Sequence, residues 1–231
     1  MKLTNFERTM LDNSKQEVFT FVNPYSYYIL DEFLSQNQEY NNITIFVDGI
    51  SLVYINNLLE RHSNLSRYSF DFTSLAPIIF RYCIEKSYTI AIVGGEDDEI
   101  KRAVLVINEK FPGLNIKFFS HGYVDLESND IYEKLVDTSP DVILSGMGTP
   151  LQEKFIFECK KRGVNFNFAF TCGGFISQIS TNPEYFHPIF DKLNLRWLQR
   201  FFRHSYVRKR MCLDYPKFFL KFVLMKLREK K

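Results

Sequence analysis

Several signals that sort a sequence quickly are missing from this one. No apolar run reaches the roughly 18 residues that a membrane-spanning helix needs. Cysteine is sparse: Cys83, Cys159, Cys172 and Cys212 stand far apart, with no C-x-x-C pair. That excludes a zinc ribbon or a disulfide framework and points to a reducing compartment. The histidines, His62, His121, His187 and His204, lack metal-ligand spacing, and no D-x-D motif offers a divalent cation a site. No G-x-S-x-G motif occurs and no cysteine has a candidate base beside it, so a covalent nucleophile has no signature. The opening stretch MKLTNFERTMLDNSKQ is polar and mixed in charge, unlike a signal peptide. The expectation is a cytoplasmic protein that uses no metal and no cofactor.

What is present is ordinary in bulk and uneven in distribution. The chain of 231 residues can bury one sizeable core with an appendage. Its net charge of +2 hides an asymmetry. Residues 192–231 carry 13 Lys and Arg against 2 Asp and Glu, a net of +11, whereas residues 1–191 carry 16 against 25, a net of −9. A basic tail on an acidic body calls for an anionic partner such as nucleic acid, an anionic membrane or a phosphorylated substrate.

Apolar runs read as strands at 17–23, 43–47, 88–93, 115–119, 142–144 and 166–170. Segments with helical spacing alternate with them at 25–38, 50–62, 73–86, 96–111, 131–136 and 151–162. This alternation, with runs rather than period-two patterning, predicts an α/β fold: a Rossmann-like, mainly parallel sheet with helices on both faces. A basic helical C-terminal appendage follows, which places a catalytic domain at 1–190 and the appendage at 191–231.

In such sheets ligands sit at the carboxyl ends of the strands. Those ends are Asn23-Pro24, Asp48-Gly49, Gly94-Gly95, His121-Gly122, Gly146-Met147-Gly148 and Gly173-Gly174. Glycine at five of the six is expected to let backbone approach a ligand closely. The stretch DVILSGMGTPLQE, Asp141 to Glu153, reads as strand, glycine turn and helix start with Pro150 at the first helical position. Its amides suit an anion such as a phosphate, though the same arrangement also serves as a plain turn.

Individual side chains carry two readings each. Asp48 ends the apolar strand IFVD; it is either a general base, its pKa raised by apolar surroundings, or an N-cap for the helix from Ile50. Gln152 and Glu153 either bind a ligand hydroxyl or cap their helix. Arg196, Arg200, Arg203, Arg208 and Arg210, with Trp197 and Tyr206, either grip a diphosphate through forked hydrogen bonds or form a solvated basic face. His121 reads as structural. In the last stretch, KFFLKFVLMKLREKK, Lys217, Lys221 and Arg228 share one helical face and Phe, Val, Met and Leu cover most of the rest. That segment either lies in a membrane interface with lysines reaching anionic headgroups, or docks on the protein with a solvated basic edge.

Taken together these pieces resemble the WecG/TagA/CpsF family, glycosyltransferase family 26. The likeness is carried by FVNP at 21–24, DG at 48–49, GG at 94–95, FPGL at 111–114 and HGY at 121–123. It continues with PDVILSGMGTPLQEKF at 140–155, LRWLQRFFR at 195–203 and YPKF at 215–218. Order and spacing match from about residue 17 to 220. The resemblance implies an inverting, metal-independent transferase that moves a sugar from a UDP-sugar to a polyprenyl-diphosphate-linked saccharide. Such enzymes serve teichoic acid, common antigen, capsule or exopolysaccharide synthesis. It implies Asp48 as the base and Asn23 and Gln152 lining the sugar-nucleotide pocket, and the strand-end reading adds Glu153 with Gly49, Gly94, Gly95, Gly146 and Gly148 as candidate substrate contacts. Arg67 is its loose counterpart of the family's arginine before the third helix. Arg200, Arg208 and Arg210 become anion contacts on an appendage that meets the cytoplasmic face of the membrane. With no metal, leaving-group charge falls to helix N-termini and arginines. Self-association through the sheet domain is allowed by the resemblance and shown by nothing in the spacing. The chain departs from the pattern at Phe21, where Thr is common, at Asn194 to Trp197, and at Phe175 to Ser177, all positions that bear on the donor sugar.

Two rivals remain at this point. A Rossmann-type oxidoreductase or methyltransferase would bind NAD or S-adenosylmethionine, but Gly146-x-Gly148 lacks the third glycine and comes late in the chain. A non-enzymatic anionic-lipid or nucleic-acid module would rest on the basic tail alone, whose aromatic content favours lipid over nucleic acid.

Overall fold

Runs of Val, Ile, Phe and Ala too apolar to face water on either side force the strands of this chain into the middle of the molecule. The structure, a computed structural model, describes residues 1–12, 14–40, 42–60, 62–182, 196–203 and 205–229. In order these form α1 (Thr9–Asp12), β1 (Glu17–Val22), α2 (Tyr27–Gln36), β2 (Ile43–Val47), α3 (Ile50–Leu59), α4 (Leu75–Glu85) and β3 (Thr89–Gly94). Then come α5 (Asp97–Lys110), β4 (Asn115–Ser120), α6 (Asp130–Thr138), β5 (Val142–Gly146), α7 (Leu151–Lys161), β6 (Phe168–Thr171) and α8 (Phe175–Thr181). The C-terminal part holds α9 (Arg196–Arg203), α10 (Ser205–Lys209), a π-helical turn (Arg210–Asp214) and α11 (Tyr215–Glu229).

The six strands form one sheet in the order β2-β1-β6-β5-β3-β4, with every pairing parallel. Alternate residues divide the core between two faces. On one, Phe19, Phe46 and Phe170 stack beneath α4, α5 and α8, with Phe19 ring centroids 5.8 and 4.6 Å from the other two. On the other, Val18, Ala91, Ile143 and Ala169 pack against α6 and α7. Only β4, at the edge, shows alternating exposure. The expected sheet with helices on both faces is present, and the strands lie within two residues of their expected ends.

Two short helices were not anticipated. α1 is one turn, and α8 is seven residues that follow a glycine pair, too short for a periodic signal. α8 is nonetheless fixed in place: Phe175, Ile176 and Ile179 enter the core and Ser177 Oγ donates to Glu99 Oε2 at 2.7 Å. Glu99 also completes a capping box with Glu96 at the start of α5, where Asp97 and Asp98 sit in the first turn as the helix dipole favours.

The appendage docks beside β2 and β1. Phe218 and Phe222 of α11 are 3% and 0% exposed and meet Tyr27 of α2 edge-to-face at 5.6 and 5.5 Å. Val22, Leu30, Ile45, Val47, Leu52 and Val53 complete this third cluster. Lys226 pairs with Glu60 at 3.0 Å. The expected division at 190/191 falls within 183–195, outside the described residues.

Candidate active site

The rim at the carboxyl ends of β2 and β1 is assembled by chain-on-chain contact. Asp48 N donates to Val22 O at 2.9 Å, which aligns Asp48 with Asn23. A β-carbon on Gly49 would lie 2.7 Å from Pro24 Cδ and 3.2 Å from Asn23 Cβ, so only glycine lets the two turns touch. Asn23 Oδ1 accepts from the amides of Tyr25 (2.9 Å) and Ser26 (3.1 Å) and so shapes the entry to α2.

Asp48 is partly accessible at the rim, its side chain 26% exposed. It is not the cap of α3: Gly49 holds that position and no side chain caps the helix. Nor does it stand in the apolar surroundings expected of it. The segment after α3 returns along β2, with a bridge between Val47 and Arg67 and a 2.8 Å hydrogen bond from Tyr68 N to Val47 O. This brings Arg67 Nη2 within 3.8 Å of Asp48 Oδ1 and 3.9 Å of Asp71 Oδ2, while it donates to Ser69 Oγ at 2.7 Å. Asp71 is buried and also accepts from Ser69 Oγ (2.7 Å) and from Thr73 N (2.9 Å). One guanidinium nitrogen is thus held between two carboxylates. Ser69 and Asp71 had escaped the sequence reading; D-x-T before a helical segment is the side-chain turn pattern that marks such a position.

Across β6, β5 and β3 the glycines pack against their neighbours. A β-carbon on Gly94 would be 2.6 Å from Gly146 O and 2.7 Å from Ile176 Cδ1; one on Gly146 would be 2.9 Å from Cys172 Sγ. One on Gly122 would be 2.9 Å from Gly94 Cα, and one on Gly95 would be 2.8 Å from Ile176 Cγ2. These glycines admit neighbouring backbone and α8. Gly148 and Gly173 are different, with φ of +81° and +50° and nothing within 4 Å of an added β-carbon. Those two turns face open space.

Pro150 is the N-cap of α7, one position before the one expected, after a cis peptide bond. The first turn uses its polar groups internally. Gln152 N donates to Gly148 O, and the Gln152 side chain donates to Thr149 Oγ1 at 3.2 Å and to Glu153 Oε1 at 3.1 Å. Gln152 Oε1 accepts from Gly173 N at 3.1 Å. Gln152 is 4% exposed and Glu153 not at all. Both therefore bind the protein in this structure, which brings the turns after β5 and β6 together beside the Asn23 and Asp48 turns.

The appendage reaches the same rim. The Arg210 guanidinium lies over the Tyr25 ring at 3.7 Å, two residues past Asn23. Arg208 Nη1 donates to the carbonyls of Phe201 and Phe202 at 3.2 and 3.3 Å, so it closes the end of α9. Arg200 lies on α9, with its side chain outside the described residues, as are Asn194 and Leu195. Phe21, at the departure from the family pattern, packs between Phe46 and Phe170. Phe175 and Ile176 are core residues.

Residues 2–231 match the profile of the Glycosyl transferase WecG/TagA/CpsF family. The chain is 37% identical over 228 residues to the UDP-Gal:alpha-D-GlcNAc-diphosphoundecaprenol beta-1,4-galactosyltransferase of Shigella boydii, covering 94% of this chain and 92% of that protein. It is 25% identical over 223 residues to the N-acetylglucosaminyldiphosphoundecaprenol N-acetyl-beta-D-mannosaminyltransferase of Bacillus spizizenii, covering 94% and 82%. The enzyme of the same name from Bacillus subtilis is 27% identical over 180 residues, covering 76% and 66%.

Proposed function

The chain belongs to the WecG/TagA/CpsF family of glycosyl transferases, and from that premise we propose that it transfers a hexose, galactose first, from a UDP-sugar to GlcNAc-diphosphoundecaprenol during synthesis of a cell-surface polysaccharide. The carrying observation is the likeness to the Shigella boydii galactosyltransferase, which extends over nearly the full length of both chains. The mannosaminyltransferases share the acceptor name at lower identity.

In this reading Asp48 takes the proton of the acceptor hydroxyl as its oxygen forms a bond to the anomeric carbon. The bond from that carbon to the UDP oxygen breaks on the opposite side, so the configuration inverts and UDP leaves with the electron pair. Arg67, held between Asp48 and Asp71, steadies the base. Asn23 lines the pocket beside it, and the open turns at Gly148 and Gly173 receive the donor. Arg210, already at the Asn23 turn, together with Arg200 and Arg208, meets the diphosphate charge with guanidinium groups in the role a metal ion has in other transferases.

Residues 191–231 act as the membrane-associating part. No helix among the described residues is long and apolar enough to cross a bilayer. α11, however, docks through Phe218 and Phe222 and leaves Leu220, Leu224 and Leu227 exposed at 67%, 48% and 51%. Tyr28, Leu220, Leu224 and Met225, with three cations (Lys217, Lys221 and Arg228) and one acid (Asp31), line an open groove of about 710 Å3 against α2. Apolar side chains framed by cations suit an anionic interface.

The test is transfer from UDP-galactose, UDP-GlcNAc and UDP-ManNAc to a short-chain prenyl-diphosphate GlcNAc in detergent, with product mass and anomeric configuration read directly. A β-galactosylated product supports the proposal. Transfer from an N-acetylated donor alone overturns the choice of galactose, and stabilisation by NAD or S-adenosylmethionine with none by UDP overturns the transferase reading for this site.

A further inference from the structure

Among the described residues, Glu153 is the one buried acidic side chain that no cation answers. It sits on α7 with none of its surface exposed. Its Oε1 accepts three hydrogen bonds: from Thr20 Oγ1 of β1 at 2.6 Å, from Gln152 Nε2 at 3.1 Å and from Thr149 Oγ1 at 3.2 Å. Thr20 Oγ1 is in turn 2.9 Å from Thr171 Oγ1 of β6. Oε2 is buried with no hydrogen-bond partner. Every group bonded to this carboxyl is neutral, and an ionised carboxylate there would be uncompensated, at a cost a protein avoids by keeping the proton. Burial accordingly pushes the Glu153 carboxyl up from the ordinary carboxylate range.

A buried acid in such a place does not touch substrate, but it touches everything that frames the open turns. Gln152 is oriented through Glu153 Oε1 and passes the constraint to Gly173 N, while Thr149 receives it directly. The strand next to Asn23 is joined to the same carboxyl through Thr20. We propose that Glu153 is a positioning residue of the transfer reaction: its buried carboxyl clamps the Gln152 carboxamide and so locks the turns at Gly148-Thr149 and Gly173 in register with the end of β1. In its kinetic consequences this rests on the transferase reading above; in its structural consequences it does not.

The test uses the full chain with Glu153→Gln, Glu153→Asp and Glu153→Ala. Amide hydrogen exchange at Gly173 reads the clamp without any substrate. Exchange is expected to stay slow in the wild type and Glu153→Gln, whose carboxamide keeps an oxygen where Oε1 accepts. It is expected to quicken by about tenfold or more in Glu153→Asp, whose shorter arm withdraws the acceptor. Kinetics at a temperature well below melting then read the consequence. The KM for the UDP-sugar rises by about tenfold in Glu153→Asp and Glu153→Ala, with kcat changed less, while Glu153→Gln restores both. The pH–rate profile of Glu153→Gln overlays that of the wild type. Unchanged Gly173 exchange in Glu153→Asp overturns the clamp even if the enzyme proves to have another donor. Slow exchange lost equally in Glu153→Gln, or a limb of the pH profile lost in that variant, overturns the positioning role in favour of general destabilisation or of proton transfer. Should Glu153→Ala fail to fold, Glu153→Asp against Glu153→Gln decides alone. If no UDP-sugar is turned over by the wild type, the transferase reading falls and the exchange data still judge the clamp.

Discussion

Gly94→Ala separates the two roles that a glycine at a strand end can have. In the structure an added β-carbon would lie 2.6 Å from Gly146 O, 2.7 Å from Ile176 Cδ1 and 2.8 Å from Gly146 C. Gly94 and Gly146 are paired residues of β3 and β5, so two of these three obstacles are backbone of the adjacent strand. Ordinary contact begins at 3.4 Å, so the strand ends must part by about 0.8 Å, the kind of overpacking that costs about 1–3 kcal/mol. Because backbone yields less than a side chain tip, the upper part of that range applies, about 2–3 kcal/mol. For a chain of this size each kcal/mol lowers the melting temperature by about 2–4 °C, which gives a fall of about 4–12 °C by calorimetry. UDP affinity measured at 10 °C, where the variant is still folded, is expected to change less than about threefold, since the clash lies between strands. Gly94 adds a φ of +158° to this crowding, so Gly148→Ala is the control for strain by itself, with open space and φ of +81°, where backbone strain of about 1–2 kcal/mol acts without crowding. An unchanged melting temperature in Gly94→Ala accompanied by lost UDP binding would refute the reasoning and return Gly94 to the ligand.

Other expectations follow from the same geometry. Asp48→Asn keeps size and rim position, so calorimetric stability and UDP affinity should hold while kcat falls by about 10²–10⁴, the usual worth of a general base; normal turnover would remove the assignment. Lys217→Ala with Lys221→Ala takes two cations from the face of α11, each worth about 1 kcal/mol at an anionic surface, so partitioning onto phosphatidylglycerol vesicles should drop by about 30-fold. Equal binding of variant and wild type would exclude that face. Cys83, Cys159 and Cys172 are buried and Cys212 exposed; burial pushes the Cys83 thiol up to about 12. A thiol reagent should therefore label Cys212 alone in the native protein and all four cysteines in denaturant. Because burial raises the Glu153 carboxyl, the folded protein binds that proton more tightly than the unfolded chain does; the stability this contributes is complete below the ordinary value of 4.5 and is lost as pH rises toward the raised folded value. Glu153→Gln removes that slope, so its melting temperature should gain on the wild type as pH rises above 4.5, and parallel curves would show that the carboxyl is not raised in the fold.

Much of this architecture could be read along the chain. Parallel strands buried on both faces need apolar runs, and runs such as TIAIVG and EVFTFV announce themselves without knowledge of their neighbours. Asp48 and Asn23 were legible for a related reason: a polar residue directly after a buried run, followed by Gly or Pro, marks a strand end at the ligand-binding edge. Arg67 was only a loose match in the sequence, because it reaches Asp48 through a bridge between residues 47 and 67 that no local pattern records.

What the sequence determined by itself was therefore local or additive: which segments become strands and helices, that the sheet is parallel, that charge is concentrated in the tail, and which family the motifs fit. The tertiary structure decided everything that depends on which surfaces meet. Glycines at strand ends have one signature in sequence, yet three-dimensional neighbours make Gly94 and Gly146 packing positions and leave Gly148 and Gly173 open. Gln and Glu at 152 and 153 have the same composition whether they face solvent or core, and only the approach of β1 and β6 turns both inward. That the C-terminal helix docks on the protein was likewise decided by contact, with Phe218 and Phe222 packed on Tyr27 while the leucines stay outside. The physical reason is the same in each case. Backbone conformation follows mainly from neighbours in sequence, whereas burial, which sets the cost of every polar and charged group, is a property of the folded whole.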